Sequence, residues 1–519
     1  MRIPGARLPA WIVIPALIHA ATLTGCAGST VPAVPGAAPD ESQVTAPNII
    51  LISIDGLRQD RTHFGGNPRR TTPNLDSLAV DGVTFTNSFS QSNESLLSHA
   101  PIFTSRYPSE IARPDYRTYT VPDSADTLAE ALTAVGYDTA AFVAGGHVKA
   151  FFGFKQGFAT FFEGKDFGSF FETGAQASRW VGTRATGRPF FLFLHGYDCH
   201  RPYVHESVFF HPFELSPSNK KLCKLLSKRN ATELVYDGVY YPDFQLEWLD
   251  HEVGERMTDP QSYEKLAAYA RTAGAQERRK VLSPDDIDHA VEHYDSAVLE
   301  ADTYVGLFLE NLVTQGLWDN TVVIVTADHG EDLQEHGYFN HRTVIFDSTT
   351  RVPFLVTGGA VPQAWRGERR TDLVEALDIV PTVMDIAGSV PPAGARGRSV
   401  WSLLEGRPVA SKDKVFQQGV LGQSSVRTAT HRLVFQGYRL TDEGYGAHLA
   451  ADPIDGGSFA LFASSEEPRE QQDILAANLG LAEELRKAMV EWYSTLDSGV
   501  AAKPISPEIQ KTLHENGYW

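Results

Sequence analysis

Cysteine is scarce in this chain. Cys26, Cys199 and Cys223 are the only three in 519 residues. Three thiols cannot make a disulfide framework, so a hydrophobic core must hold the fold. Positive charge is also short, with 45 Lys and Arg against 64 Asp and Glu and a net charge of −19. So acidic a surface repels phosphate backbones, which excludes non-specific nucleic-acid binding. It repels small anions too, so a site for an anionic substrate needs local cations, and metal ions are a ready source. Long apolar runs are missing as well. Residues 10–23 form an apolar stretch too short to span a bilayer comfortably, and no other stretch reads as a transmembrane helix. Internal repeats are absent, which argues against a solenoid or propeller. What is present, 42% apolar and 21% charged residues, suits a large globular core.

Arg2 and Arg7 precede that apolar stretch, which ends in Leu23-Thr24-Gly25-Cys26. The ending resembles the lipobox of bacterial lipoproteins, in which the cysteine is lipidated and becomes the new N-terminus. The resemblance implies a signal peptide over residues 1–25 and a membrane attachment through a lipid on Cys26. It implies a place in the bacterial cell envelope, on the periplasmic face of the outer membrane. Residues 26–46, rich in Ala, Pro, Gly and Ser, read as a flexible tether. Cys199 and Cys223 are then left either to pair or to remain free thiols.

Order is expected to begin at Asn48, where a continuous run of Ile and Leu marks a strand buried on both faces. Similar runs occur at residues 189–194, 321–326 and 352–356, with helical patterns between them, for example at 125–135. Alternating strands and helices predict an α/β fold with a large, mainly parallel sheet and helices on both faces. Residues 205–285 break the alternation and read as an irregular insertion in a catalytic domain spanning 47–410. Ser283 and Pro284 then open a long helix. After residue 410 shorter strands and a last helix at 481–493 suggest a smaller α+β subdomain, 411–519.

Catalytic groups in such sheets gather at the carboxyl ends of strands. Asp55 follows the first run, His195 to Asp198 the second, and Asp328-His329 the third. A carboxylate beside an imidazole can ligate one divalent cation or two adjacent ones. Asp55 adds a hard oxygen ligand. Ser95 opens Ser95-Leu96-Leu97-Ser98-His99-Ala100-Pro101, and a hydroxyl beside a helix N-terminus and a metal is suited to be a nucleophile. Ser92 or Asn93 would then cap that helix.

These segments, with Thr72-Pro73-Asn74-Leu75-Asp76, Tyr197-Asp198-Cys199-His200-Arg201-Pro202-Tyr203 and Asp378-Ile379-Val380-Pro381-Thr382, stand in one recognisable order. The chain resembles the sulfatase family of the alkaline phosphatase superfamily over roughly residues 47–495. The resemblance implies an alkaline-phosphatase-like fold and a metal-dependent hydrolase of sulfuric or phosphoric esters. By position, Asp55, Asp328 and His329 match metal ligands, and Ser95 matches the nucleophile. His200 and His341 match histidines that contact the transferred group or protonate the leaving oxygen. His99 and Asp198 are expected to bind substrate. The cofactor is a divalent metal, Ca, Mg, Mn or Zn, as one ion or two.

Several positions depart from the family pattern. Leu97 and His99 replace the Pro and Arg that accompany oxidation of the nucleophile to formylglycine, which speaks against that modification of Ser95. Gly56 stands where many relatives carry a second acidic ligand, and His329 where arylsulfatases often carry Asn. The Gly-Lys-Trp-His segment of arylsulfatases is missing, and His147, near its place, reads as a surface residue. Two alternatives stay open: a phosphotransferase acting on envelope lipid or glycan, and an inactive lipoprotein that holds an anionic glycan. His289 and His293 share a helix face as in zinc proteases but lie away from the strand ends.

Overall fold

The computed structural model describes residues 46–111, 120–184, 187–200, 203, 234–236, 239–241, 280–281, 284–342, 345–419, 423–435, 459–464 and 470–496. The expected signal peptide, Cys26, residues 26–45 of the tether, Cys223, Ser283, most of the expected insertion and everything beyond 496 lie outside the described residues.

Eight strands build the main sheet: β1 (Asn48–Ile54), β2 (Val83–Phe89), β3 (Asp138–Val143), β4 (Thr160–Glu163), β5 (Phe190–Gly196), β6 (Thr321–Thr326), β7 (Phe354–Thr357) and β8 (Glu368–Glu375). Their order across the sheet is β8-β2-β7-β6-β1-β5-β3-β4. Every neighbouring pair is parallel except those made by β7, which runs against β2 and β6. The run expected at 352–356 is therefore a strand, but one that reverses the sheet's direction.

β1 lies between β5 and β6, and the period of two sends its side chains to opposite cores. Ile49 and Leu51 join Phe191, Phe193, Val322 and Ile324 on one face. Ile50, Ile52 and Ile54 join Leu192, Leu194, Val323 and Val325 on the other. The first core is closed by α2 (Ser95–Thr104), α3 (Leu128–Ala134) and α6 (Ile379–Ile386); the second by α1 (Pro73–Val80), α4 (Phe170–Thr183) and α5 (Pro284–Thr314). The α3 helix starts later than the pattern at 125–135 implies, because Thr127 and Glu130 form a capping box there.

Register places the chemistry. Ser53 pairs with His195 on one side and Thr326 on the other, so β1, β5 and β6 end nearly level. A second layer follows in β9 (Val415–Gln418), β10 (Ser424–Arg427), β11 (His431–Phe435) and β12 (Phe459–Ala463), an antiparallel sheet backed by α7 (Leu479–Ser494). Within the stretch expected to be irregular, Leu234–Tyr236, Val239–Tyr241 and Lys280–Val281 pair as short antiparallel strands. Among the described residues no helix is long and apolar enough to cross a membrane.

Candidate active site

Asp55, Asp328 and His329 converge at the ends of β1 and β6. One ligand atom from each lies within 4.8 Å of the others, and all three residues are buried. Each carboxylate has one oxygen engaged and one without a hydrogen-bond partner. Asp328 Oδ1 accepts the backbone amides of Gly56 at 3.2 Å and His329 at 2.8 Å, while Oδ2 has none. Asp55 Oδ2 accepts the Ser95 hydroxyl at 3.0 Å, while Oδ1 has none. His329 Nδ1 donates to the Gly330 carbonyl at 2.8 Å, which fixes the tautomer and leaves the Nε2 lone pair free to ligate. That Nε2 lies 3.3 Å from Asp328 Oδ2 and 3.9 Å from Asp55 Oδ1. Two orphaned carboxylate oxygens and an imidazole lone pair in a buried site fit a divalent cation.

The charges of the site agree with that fit. Burial pushes the Asp55 carboxyl well up, and the adjacent Asp328 carboxylate pushes it further. Burial opposes the charge of Asp328 too, but His329 and His99 outweigh it and hold Asp328 below the ordinary carboxylate range. Gly56 explains the absence of a further acid. Its φ is +74°, and a Cβ there would sit 3.3 Å from the Cys199 carbonyl oxygen, so a side chain would be strained and crowded.

Ser95 is the first residue of α2, and its Oγ lies 3.2 Å from His329 Nε2. The cap is neither Ser92 nor Asn93. Glu94 caps the helix, its Oε2 accepting the amides of Leu96 and Leu97 at 3.1 Å each. His147 Nδ1 stands 2.6 Å from the other oxygen, Glu94 Oε1. Burial opposes the Glu94 charge, yet His147 and Arg342 bring its pKa down to about 2. The reading of His147 as a surface residue is thus corrected, since it is mostly buried and tied to the residue before Ser95. The signal was Gly145-Gly146. A Cβ at Gly146 would lie 2.1 Å from the Tyr197 hydroxyl, so glycine lets this strand-end loop close onto the site.

The remaining expected residues divide. His341 stacks on His329 with ring centroids 4.1 Å apart, and its Nδ1 faces Glu331 Oε2 at 3.2 Å. His200 is half-buried, with its ring 5.0 Å from that of His341. His99 corrects the expectation of substrate contact. It is wholly buried, its Nδ1 donates to the Ser95 carbonyl at 2.8 Å, and Ser53 donates to its Nε2 at 3.0 Å. Asp198 also turns away from a substrate role, because its carboxylate accepts the Phe170 amide at 3.0 Å at the start of α4. Cys199 is buried and free. His289 and His293 pair with each other at 3.2 Å.

Sequence reasoning assigned no role to Arg58 or His195. Arg58 is buried and donates to the Glu331 carbonyl at 3.0 Å, pinning the loop after His329. His195 lies in β5 with Nε2 3.5 Å from Asp55 Oδ2. The sequence places it first in the polar cluster after the second run, with no role of its own, and the register sets it inside β5 beside Asp55.

The sheet order, with helices on both faces, makes an alkaline-phosphatase-like α/β fold. The family model described as Sulfatase matches residues 47–389, and that of the N-sulphoglucosamine sulphohydrolase C-terminal region matches 334–490. The chain belongs to the sulfatase family and is a sulfatase-family hydrolase. It is 24% identical to an arylsulfatase of Clostridium perfringens over 461 residues, 83% of this chain and 92% of the relative. It is 23% identical to an N-acetylglucosamine-6-O-sulfatase of Bacteroides thetaiotaomicron, covering 90% of this chain and 89% of that one. A solved structure in complex with D-glucosamine-2-N,6-O-disulfate superposes with a TM-score of 0.64 at 20% identity, covering 88% of this chain and all of that one (100%).

Proposed function

We propose that this protein is a divalent-metal-dependent hydrolase of sulfate esters carried on sugars, with Asp55, Asp328 and His329 holding the ion and Ser95 attacking sulfur. The observation that carries the reading is the Ser95 hydroxyl, 3.0 Å from Asp55 Oδ2 at the N-terminus of α2, beside two half-satisfied carboxylates. The sugar substrate class follows from the relatives named for sulfated amino sugars.

The chemistry a divalent ion supplies in such a setting is Lewis-acid polarisation of the ester and a lowered hydroxyl pKa. Asp55 Oδ2 is placed to take the Ser95 proton. The Ser95 oxygen forms a bond to sulfur as the bond from sulfur to the sugar oxygen breaks. His200 or His341 supplies the proton for the leaving alcohol. Water then attacks sulfur, giving a proton to the same histidine, as the bond from sulfur to the Ser95 oxygen breaks; Asp55 returns its proton to Ser95 and sulfate leaves.

A second reading, hydrolysis of phosphate esters, is favoured by Leu97 and His99. They stand where the formylglycine motif has Pro and Arg, and an unmodified serine suits a phosphoseryl intermediate. Export and a lipid on Cys26 complete the proposal, supported by Leu23-Thr24-Gly25-Cys26.

One experiment tests the set. The envelope-fractionated protein is digested, and mass spectrometry reads the Ser95 and Cys26 peptides. Turnover of aryl and sugar sulfates and of phosphate mono- and diesters is followed with Ca, Mg, Mn and Zn. Sulfate release with an unmodified Ser95 peptide supports the first reading. Phosphate release without sulfate release favours the second. Full activity of Ser95→Ala, or no metal dependence, refutes both.

A further inference from the structure

His195 is the one histidine at the strand ends that is wholly buried with no hydrogen bond at either ring nitrogen among the described residues. A neutral imidazole carries one donor and one acceptor, and burying both unmade is an unfavourable arrangement that calls for a reason. The surroundings restrict the reason. The ring packs edge-to-face on His99 at 5.0 Å and on Tyr197 at 4.7 Å, and lies parallel to Phe193 at 6.2 Å. These neighbours fix its plane and offer it no acceptor. The near acceptor is Asp55 Oδ2, 3.5 Å from Nε2, just beyond a good hydrogen bond.

We propose that His195 is a positioning residue for the metal centre. Its Nε2–H donates to Asp55 Oδ2, the oxygen that also receives the Ser95 hydroxyl, and thereby turns Oδ1 toward the ion. A movement of about half an ångström closes the contact to ordinary length. The inference rests on the reading of Asp55 as a metal ligand and says how this chain holds it. The need is particular to this sequence, because Gly56 brings no carboxylate to the site and Asp55 is the sole acid from β1. Asp328 has two backbone amides to orient it, whereas Asp55 Oδ2 has one hydroxyl, which is itself the proposed reacting group. Partners that orient a ligand in this way change metal affinity by about 10–100-fold when removed.

The test is calorimetric titration of the metal-free full chain with MnCl2 and with CaCl2. Wild type is compared with His195→Phe, which keeps a flat ring but has no donor, and with His195→Gln, which restores an N–H. His195→Phe is expected to bind the ion about 10–100-fold more weakly. His195→Gln is expected to recover most of the loss. Thermal melts without metal give the second readout, with His195→Phe melting close to wild type because the lost contact to Asp55 is offset by removal of a buried Nδ1 that has no partner. Wild-type affinity in His195→Phe overturns the inference. So does a loss of affinity that follows a lower melting temperature and is not rescued by His195→Gln. Asp328→Asn separates the two levels of the argument. If it binds the ions as wild type does, the metal reading itself falls and takes this inference with it. If it abolishes binding while His195→Phe does not weaken it, only the role of His195 falls.

Discussion

Two buried charge clusters face different problems in this molecule. At the junction with the C-terminal sheet, Asp347 takes a bidentate contact from Arg427, at 3.2 Å to each oxygen, and a 2.7 Å contact from Arg432. Arg432 also reaches Glu470 at 3.2 Å, and Glu470 accepts the Asp347 amide. Every acid there meets a cation of the chain. At the ends of β1 and β6, Asp55 and Asp328 are as deeply buried, yet no Lys or Arg pairs with either among the described residues, and one oxygen of each is orphaned. The first cluster supplies its own cations, although Arg432 Nε and Glu470 Oε1 meet as an ion pair without a hydrogen bond. The second is complete only with a cation from outside, which distinguishes a site from a staple.

The sharpest way to break that comparison is to neutralise one acid in each cluster. Asp328→Asn is expected to lower turnover by about a thousandfold or more and to abolish ion binding. Its metal-free melting temperature should change little, because the Asn oxygen still accepts the Gly56 and His329 amides and the repulsion with Asp55 is relieved as the attraction to His329 and His99 is lost. Asp347→Asn should do the reverse, destabilising by roughly 3 kcal/mol by stranding two buried arginines. Ion affinity of its folded fraction should be unchanged. Calorimetry and thermal melts on both variants decide it, and the distinction is lost if both respond alike.

Next in size is Ser95→Ala, expected to cost about a thousandfold in kcat while the ion still binds. Equal loss of ion affinity would make Ser95 a ligand rather than a nucleophile.

Glu94 supplies a smaller and pH-dependent effect. Its folded pKa is depressed from 4.5 to about 2, so its stabilisation is present above 4.5 and is lost as pH falls through that window. Acid unfolding of wild type and Glu94→Gln should therefore differ at neutral pH and converge toward pH 2. Parallel curves would refute the pairing with His147.

The smallest effect lies far from both clusters. Thr127→Ala removes the α3 cap and should cost about 1 kcal/mol in a denaturant titration, with turnover intact.

The legible parts of the sequence are those whose signal is local. The Ile-rich run of β1 and the Val-rich run of β6 could be placed at their observed bounds, because a strand buried on both faces needs no partner to be recognised. Asp55, Ser95, Asp328 and His329 were legible for the same reason, as polar residues directly after such runs or at a helix start. β2, β3, β4 and β8 were less so. β8 carries Glu368, Arg369 and Arg370, and its membership rests on pairing with β2 rather than on hydrophobicity.

By itself, then, the sequence determined the α/β class, the order of the catalytic segments and the residues able to ligate or attack. It also determined the departures at Gly56, Leu97 and His99. Only the tertiary structure decided how those residues are used. His99 and Asp198 share motifs with the other candidate site residues, yet His99 is hydrogen-bonded to Ser53 and the Ser95 carbonyl and Asp198 accepts the Phe170 amide. His147 reads as a surface residue and His195 only as the first of a polar cluster, yet the closing of a glycine loop and the level register of β1 and β5 bring them to Glu94 and Asp55. The physical reason is that a side chain's chemical type is written in the sequence, whereas its remaining valence depends on which neighbours reach it first.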